Sequence, residues 1–272
     1  MMARRWLALP LLLAPLVFAG CAGDGTGTEA AGQVTVRMGV ARPASVQTGD
    51  GLAAVGGPLA VAGANGTLSI TGIQVVIAKF QLRGPNDVPC AGASGAVNDE
   101  CEFQAGPFFV DVPLDGNPLN VTTGAVPAGT YTHVRFRVKN LDDDDDDDGS
   151  DDDNVTPAQV AALFEQIRAQ IPDWPRKASM LVTGTFTPTG GAPRAFRAFA
   201  RAEVRLTLPI NPPLSVGEGS TSSAVTVVLD PASFFKTGTN VIDLSQFNSG
   251  RLGEFKVEAE RGFRGEGNSG PG

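Results

Sequence analysis

Apolar and polar residues alternate along much of the chain, which is the period-two pattern of β-strands with one buried face. The first clear case is the segment 33–41. Its apolar positions are Val34, Val36, Met38 and Val40, with polar Thr35 and Arg37 between them. This alternation predicts a strand that packs one face on a core and turns the other towards solvent.

A longer strand is predicted at 67–82, where Gly72 interrupts the pattern. Leu68 and Ile70 share one face before the glycine, and apolar positions share a face again from Val76 onwards. Glycine weakens strand pairing and often marks a bulge. We therefore predict one long strand with a bulge or bend at Gly72.

Further strand patterns follow and are separated by turn-forming residues. They lie at 108–114, 130–139, 179–187, 195–208, 224–229 and 253–259. Turns are predicted at 127–129, at 189–191 and at 212–213. With 34 Gly and 20 Pro in 272 residues, this pattern indicates a mainly β fold. We predict an immunoglobulin-like antiparallel β-sandwich with one short packed helix.

The helix is predicted at 157–170. Thr156 and Gln159 have the spacing of a capping box, and Pro157 suits the first helical position. The apolar positions that recur at helical spacing are Val160, Leu163, Phe164 and Ile167. Pro172 ends the pattern. The apolar face predicts that this helix packs on the sandwich.

Charge is concentrated in one segment of the chain. The sequence has 21 Lys and Arg against 29 Asp and Glu, and ten of these acids lie at 142–153. Without Arg4, Arg5 and these ten acids, the remainder has 19 basic and 19 acidic residues. The protein is therefore a neutral body with one anionic insertion, at 142–154. It lacks the overall basicity of nucleic-acid-binding proteins.

The N-terminus has the layout of a secretory signal peptide, predicted at 1–20. Two arginines precede the 13-residue apolar stretch 6–18, which is shorter than the roughly 20 residues that span a bilayer. Its end, Phe18-Ala19-Gly20-Cys21, resembles the bacterial lipobox, with Phe18 in place of the usual leucine. We predict lipidation of Cys21; the alternative is an ordinary signal peptide with an incidental cysteine.

The predicted lipid anchor determines the expected location and domain organisation. A Gly-, Ala- and Thr-rich tether is predicted at 21–32, followed by a single sandwich domain at 33–260 and a disordered tail at 261–272. Ala22 is not the aspartate that retains lipoproteins in the inner membrane. We therefore expect a lipid-anchored protein of the cell envelope, at the outer membrane or cell surface, that binds no nucleic acid.

Cys90 and Cys101 remain after Cys21 is assigned to the lipid. Outside the cytoplasm such a pair is expected to oxidise, which predicts a structural disulfide. It would contribute about 3 kcal/mol in the chain-entropy model. A metal site is the alternative, but it needs three or four ligands and the chain has one His and three Cys in all.

The anionic insertion matches part of a calcium-binding loop. Asp144, Asp146 and Asp148 precede Gly149, and Asp152 takes the ninth position of such a loop. The twelfth position, where the loop needs a bidentate Glu, is Val155. Two interpretations stay open: an ordered Ca²⁺ site with these four ligands, or a solvated acidic insertion that binds Ca²⁺ loosely.

Two predicted strands have basic outer faces that offer the insertion another partner. His133, Arg135, Arg137 and Lys139 would share one face, and Arg197, Arg201 and Arg205 another. Val134, Phe136 and Val138 would then point into the core. We hypothesise that the insertion lies partly against these basic stripes. The alternative is an ordinary polar sheet face.

Catalytic patterns are weak, and we predict that the protein is not an enzyme. His133 is the single histidine, and the sequence has neither a Gly-x-Ser-x-Gly elbow nor a phosphate-binding loop. The alternative is a carboxylate-based hydrolase that acts on envelope or extracellular carbohydrate. Its acids would come from the scattered set Asp111, Asp115, Asp173 and Asp230.

Several pieces of the sequence are similar to those of uncharacterised bacterial lipoproteins. They lie at 68–71, 101–103, 106–114, 126–131 and 225–230, and include the turn Pro127-Ala128-Gly129-x-Tyr131. The resemblance covers most of 33–260. It implies an immunoglobulin-like or transthyretin-like sandwich in a membrane-anchored envelope protein, with an unidentified protein or glycan ligand and no agreed activity.

Overall fold

The computed structural model of the chain describes residues 31–41, 57–85, 104–140, 156–202, 204–220, 223–247 and 263–269. The strands in these ranges are β1 Ala31–Val40, β2 Leu59–Gly63, β3 Gly66–Arg83, β4 Gln104–Ala105, β5 Phe108–Asp111, β6 Leu119–Pro127, β7 Gly129–Val138, β8 Met180–Pro188, β9 Arg194–Ala200, β10 Val204–Val216, β11 Ser223–Leu229, β12 Lys236–Thr237, β13 Asn240–Val241 and β14 Phe263–Asn268. The helices are α1 Pro157–Gln170, α2 Pro231–Phe234 and a 3-10 helix at Leu244–Phe247.

Twelve of these strands form one large sheet that curls around the main hydrophobic core. Its hydrogen-bonded order is β6-β1-β11-β14-β10-β7-β3-β8-β9, and β2, β4 and β5 also pair with β3. The prediction of a mainly β, sandwich-like fold is therefore confirmed. The expectation of purely antiparallel pairing is wrong, because β1 pairs parallel with β11 and β10 pairs parallel with β14. Parallel neighbours need long connections, and here each connection runs through other strands.

The predicted long strand with an irregularity at Gly72 is confirmed as β3. Its register against β8 shifts between Ile70 and Gly72. A Cβ at Gly72 would lie only 2.8 Å from Thr183 Oγ1, so this close approach favours glycine. The strand contributes to two cores, because Leu68 is buried in the main core and Val76 in the cluster under α1.

The bounds of α1 agree with the sequence prediction, and its capping box is formed. The Gln159 backbone N–H donates to Thr156 Oγ1 at 3.3 Å, and the Thr156 backbone N–H donates to Gln159 Oε1 at 2.8 Å. Leu163, Phe164 and Ile167 are buried against the sheet, as the apolar face predicted. Among the described residues, no helix has the length and apolar character needed to cross a membrane.

The single strand predicted at 195–208 is wrong, because the structure divides it into β9 and β10. β9 pairs with β8, whereas β10 pairs with β7. Ala202 lies buried between them; its N–H donates to Ser179 Oγ at 2.7 Å, and its carbonyl accepts from the same hydroxyl at 2.7 Å. These bonds satisfy the backbone where the chain changes partner. The period-two pattern continues across this point and does not mark it.

The predicted turn at 212–213 is also wrong, because both prolines lie inside β10. Proline lacks the N–H that a regular ladder needs. The register of β10 against β7 accordingly shifts between Pro209 and Leu214. Strand pairing therefore continues beyond an irregular stretch and does not end there.

The prediction of a disordered tail is wrong for residues 263–268. This segment forms β14, which lies between β11 and β10 in the sheet. Phe263 is buried, with its ring centroid 5.0 Å from that of Phe136 and 5.5 Å from that of Phe234. A Cβ at Gly267 would lie 2.4 Å from the Pro212 carbonyl oxygen. The glycines therefore permit close packing of backbone. At the other end, β1 begins at Ala31, so the last two residues of the predicted tether belong to a strand.

Candidate functional site

A groove of about 190 Å³ opens between α1, β5 and β6. Its apolar lining is Pro107, Phe108, Phe109, Val110, Leu119, Val121 and Leu163, and its polar lining is Asn120 and Gln166. All of these side chains are uncharged. The site therefore offers apolar contact and amide hydrogen bonding, and it lacks the ionisable groups that acid–base chemistry requires.

Two adjacent phenylalanines of β5 form much of the wall. Successive side chains of a strand point to opposite faces, so the two rings have different neighbours. The Phe108 ring lies 6.3 Å from that of Phe80 in the main core. The Phe109 ring meets Trp174 edge-on at 5.3 Å, in the cluster under α1. This side of the groove therefore packs on both hydrophobic clusters, through Phe108 on the main core and through Phe109 on the cluster under α1.

β6 supplies the opposite side of the groove, where Leu119 is 44% exposed. Leu119 pairs in register with Met38 of β1, and the register shifts between Val36 and Arg37. Arg37 Nε donates to Asn120 Oδ1 at 3.0 Å, which fixes that amide beside the groove.

The two ends of the large sheet differ in chemistry. β9, at one end, contacts the 3-10 helix. Its Arg194 Nη1 lies 3.7 Å from Oδ2 of Asp243, the residue directly before that helix. β6, at the other end, has nine residues and no charged side chain. Within the described ranges β6 pairs with β1 alone. Its second edge is the kind that other proteins protect with charge, proline or a covering segment.

The scattered acids have mostly structural roles. The Asp173 carboxylate accepts two hydrogen bonds from Arg197, at 2.5 and 2.8 Å, and these hold its pKa below the usual range. Asp230 caps α2 through the Ala232 and Ser233 N–H groups. Asp115 accepts from the Asn117 backbone and side chain. Asp111 differs, because partial burial raises its pKa.

The basic stripe predicted at Arg197, Arg201 and Arg205 does not form as a single face. Arg197 lies in β9, Arg201 between strands and Arg205 in β10, so the three do not share one strand. On β7, Arg137 is only 7% exposed and pairs in register with Lys79. Val134, Phe136 and Val138 are buried in the core, as predicted. The insertion at 142–153 lies outside the described residues, so its contact with these strands stays a hypothesis.

The other sequence-predicted site residues also lie outside the described residues. They are Cys21, the pair Cys90 and Cys101, and the calcium ligands Asp144, Asp146, Asp148 and Asp152. Within the described ranges, no group of three or more His, Cys, Asp or Glu side chains has the geometry to hold a metal. These predictions therefore remain untested.

Comparison with known proteins gives little further information. No protein-family model matches the chain, and no curated protein matches it. Among solved structures, the fold is similar to MbnP from Methylosinus trichosporium at 14% sequence identity, over 88% of this chain and 99% of that one. The TM-score is 0.37.

Sequence reasoning missed the groove because it did not predict β6. The segment contains β-branched residues at Val121, Thr122 and Thr123 between Pro118 and Pro127, a composition typical of a strand. The juxtaposition of this strand with α1 is tertiary, and no local pattern encodes it.

Proposed function

We propose that this chain is a lipid-anchored protein of the bacterial cell envelope whose β-sandwich is a non-enzymatic binding module. The groove between α1, β5 and β6 is its recognition site. The observation that carries the proposal is a cavity with a mixed apolar and amide lining, all of it uncharged, beside an exposed leucine, Leu119. The resemblance to envelope lipoproteins supports the location.

The position of β1 suits an anchored binding module. β1 begins at Ala31, where the proposed tether from Cys21 ends, and Ala31 pairs with Pro127 of β6. Met38, seven residues further along, pairs with Leu119 at the groove. At about 3.3 Å per residue, the groove lies about 23 Å from the tethered end. An anchor at Cys21 therefore leaves the groove away from the membrane surface.

The anchor is tested by metabolic labelling with palmitate. We expect label on the full chain in a bacterial host that processes lipoproteins, and none on the variant Cys21→Ala. Cys90→Ala is the matched control and keeps the label. An unlabelled parent chain contradicts the anchor, whatever the groove binds.

The groove is tested by titration with N-acetylleucinamide, which offers one apolar side chain. Burial of that side chain contributes about 2–3 kcal/mol before the cost of association, so we expect a Kd of about 10 mM or weaker. The probe should change the fluorescence of Trp174, whose ring contacts Phe109, in a chain carrying Trp6→Phe. Leu119→Asp should weaken the response, and Thr207→Asp on β10 should not. Absence of any response contradicts a binding groove.

Calcium binding by the anionic insertion belongs to the proposal as a second property. The measurement is calorimetry with Ca²⁺ on a variant in which Asp144, Asp146, Asp148 and Asp152 are changed to Asn. The matched control changes four other acids of the run, Asp142, Asp143, Asp145 and Asp147, to Asn. Loss in the first variant alone supports an ordered site. Equal weakening in both supports loose association with a polyanion.

The proposed disulfide between Cys90 and Cys101 is tested by thiol counting. Under denaturing conditions without reductant, neither residue should react with a maleimide, and both should react after reduction. Reduction should lower the free energy of unfolding by about 3 kcal/mol. A variant with both residues changed to Ser should not respond to reductant.

The rival function, a carboxylate-based hydrolase, has less support. Asp115, Asp173 and Asp230 hold local structure through hydrogen bonds, and the lining of the groove contains no acid. Burial raises the pKa of Asp111, as a general acid requires, but Asp111 does not line the groove.

A further inference from the structure

We infer that the partner of the groove is an extended peptide segment that pairs with β6 as an added strand and places one apolar side chain in the groove. The inference rests on the proposed function, since it names the class of ligand for the same site. Three observations carry it: the size of the groove, the open edge of β6 and the uncharged character of both.

The groove is too small for an ordinary small-molecule ligand. Its volume is about 190 Å³, whereas small-molecule and cofactor sites span roughly 300–1,000 Å³. A cavity of this size suits one side chain of a larger partner. Most of the binding free energy must then come from contacts outside the cavity.

The edge of β6 supplies those contacts. Within the described ranges the strand pairs with β1 on one side only, so its other side presents main-chain N–H and C=O groups. Peptides that add a strand to a sheet gain affinity from such groups and specificity from neighbouring side-chain pockets. Leu119 and Val121 belong to β6 and also line the groove. The pocket and the edge therefore form one continuous surface.

Charge selects the chemistry of the peptide. Neither β6 nor the groove lining carries a charged side chain. The neighbouring charge is the Arg37 guanidinium, which donates to Asn120, so a cationic residue of the partner is disfavoured and an uncharged residue suits the cavity itself. The apolar residues of the lining, Phe109 and Leu163 among them, favour a leucine or an aromatic residue. We therefore expect a neutral, extended segment with one large apolar residue among polar or β-branched neighbours.

A second copy of the chain fits this surface less well. If two β6 strands paired antiparallel about their centre at Thr123, Leu119 of one copy would lie opposite Pro127 of the other. Each leucine would then be about eight residues from the partner's groove, a distance of roughly 26 Å along the strand. Such a dimer leaves both grooves empty.

The probe is the neutral peptide acetyl-Thr-Val-Thr-Leu-Thr-Val-Thr-amide, used with the full chain carrying Trp6→Phe. Binding should change Trp174 fluorescence. At a peptide concentration of ten times the Kd, binding should slow amide hydrogen exchange across 119–127 about tenfold. The reason is that these amides exchange only in the small fraction of protein that has no peptide bound. The same peptide with Asp in place of Leu should do neither. On the protein, Thr123→Lys should weaken binding at the edge, and the same change at Thr207, inside the sheet, should not.

Main-chain pairing is tested directly with N-methylated peptides. Only alternate N–H groups of an added strand face its neighbour. Methylation of the N–H groups that face β6 should abolish binding. Methylation of the N–H groups that face away from β6 should leave the affinity unchanged. Equal effects of the two sets would overturn strand addition.

The outcomes separate the two proposals. A fluorescence response to N-acetylleucinamide without exchange protection of 119–127 by the peptide overturns the inference and leaves the binding groove standing. No response to either probe overturns both. Protection of 119–127 that rises with protein concentration, in the absence of peptide, identifies a second copy as the occupant and also overturns the inference.

Discussion

The indole of Trp174 meets the ring of Phe109 edge-on, with centroids 5.3 Å apart and planes at 88°. Trp174 is fully buried, and its Nε1–H donates to the Ala178 carbonyl oxygen at 3.2 Å. Phe199 approaches it from another side at 5.5 Å. Phe109 lines the groove. The contact therefore joins the wall of the groove to the core under α1.

Replacement of Phe109 by Leu should lower the free energy of unfolding by about 1–2 kcal/mol and change the emission of Trp174. The loss combines an aromatic contact with a partly buried volume. Phe108→Leu is the matched control, because Phe108 packs on Phe80 in the main core. It should destabilise similarly and leave the emission unchanged. The measurements are denaturant unfolding and fluorescence in the Trp6→Phe chain; equal spectral changes in both variants would contradict the prediction.

The sequence predicted the parts of this region that depend on local pattern. The helix 157–170, its capping box and its apolar face agree with the structure, because 3.6-residue periodicity and capping are encoded within a few residues. The groove was not predictable in that way. Leu119 and Leu163 come together only because β6 pairs with β1 at one end of the sheet and α1 packs on the outer face of β3, β8 and β9.

Replacement of Gly267 by Ala should lower the free energy of unfolding by about 1–3 kcal/mol, the usual cost of overpacking. The added Cβ would lie 2.4 Å from the Pro212 carbonyl oxygen, which is backbone and cannot turn aside. Gly217→Ala is the matched control, since a Cβ there has no atom within 4 Å. Thermal or urea unfolding of both variants gives the comparison. Equal stability would show that β14 does not pack as described.

The same strand explains why composition misled the prediction of the tail. A segment rich in Gly, Arg and Glu normally buries too little apolar surface to fold. Here Phe263 supplies a buried anchor, and Gly265 and Gly267 let β14 fit closely against β10. A glycine in a sequence indicates either a flexible backbone or a position where two backbones approach closely. Only the presence of a neighbouring strand distinguishes these two cases.

Asp173 should make stability depend on pH in the acidic range. Its hydrogen bonds from Arg197 lower the folded-state pKa below the ordinary value of 3.8. The contribution is therefore present above pH 3.8 and is lost as pH falls through the folded-state pKa. Both side chains are largely exposed, at 42% and 62%, so we expect at most about 1 kcal/mol. Asp173→Asn should lower the free energy of unfolding at pH 7 and have little effect near pH 2.

High salt provides a second check on this ion pair. Screening weakens exposed pairs, so the difference between the parent chain and Asp173→Asn should shrink in 1 M NaCl at pH 7. Asp230→Asn is a useful control, because Asp230 accepts hydrogen bonds from the backbone N–H groups of Ala232 and Ser233. Its effect should change less with salt. A difference at Asp173 that is independent of both pH and salt would contradict an electrostatic origin.

Asp111 should affect stability with the opposite sign. Burial raises its folded-state pKa above 3.8, so folding favours the protonated carboxyl. Its stabilising contribution is fully present below pH 3.8 and is lost as pH rises through the folded-state pKa. Asp111→Asn keeps the shape and removes the charge. It should therefore raise the free energy of unfolding at pH 7 by about 0.5 kcal/mol or less, the usual range for surface positions. The advantage should disappear near pH 3.

The comparison of Asp111→Asn with Asp173→Asn controls for the substitution itself, since both variants lose one carboxylate. Relative to the parent chain, Asp111→Asn should be more stable at pH 7 and Asp173→Asn less stable. Both differences should be smaller at pH 3. Asp111 ends β5, two residues after Phe109 in the wall of the groove. A gain in stability at pH 7 means that the parent chain retains an unfavourable carboxylate next to its recognition site. A loss of stability at pH 7 would instead show that Asp111 holds a structural partner, as Asp173 does.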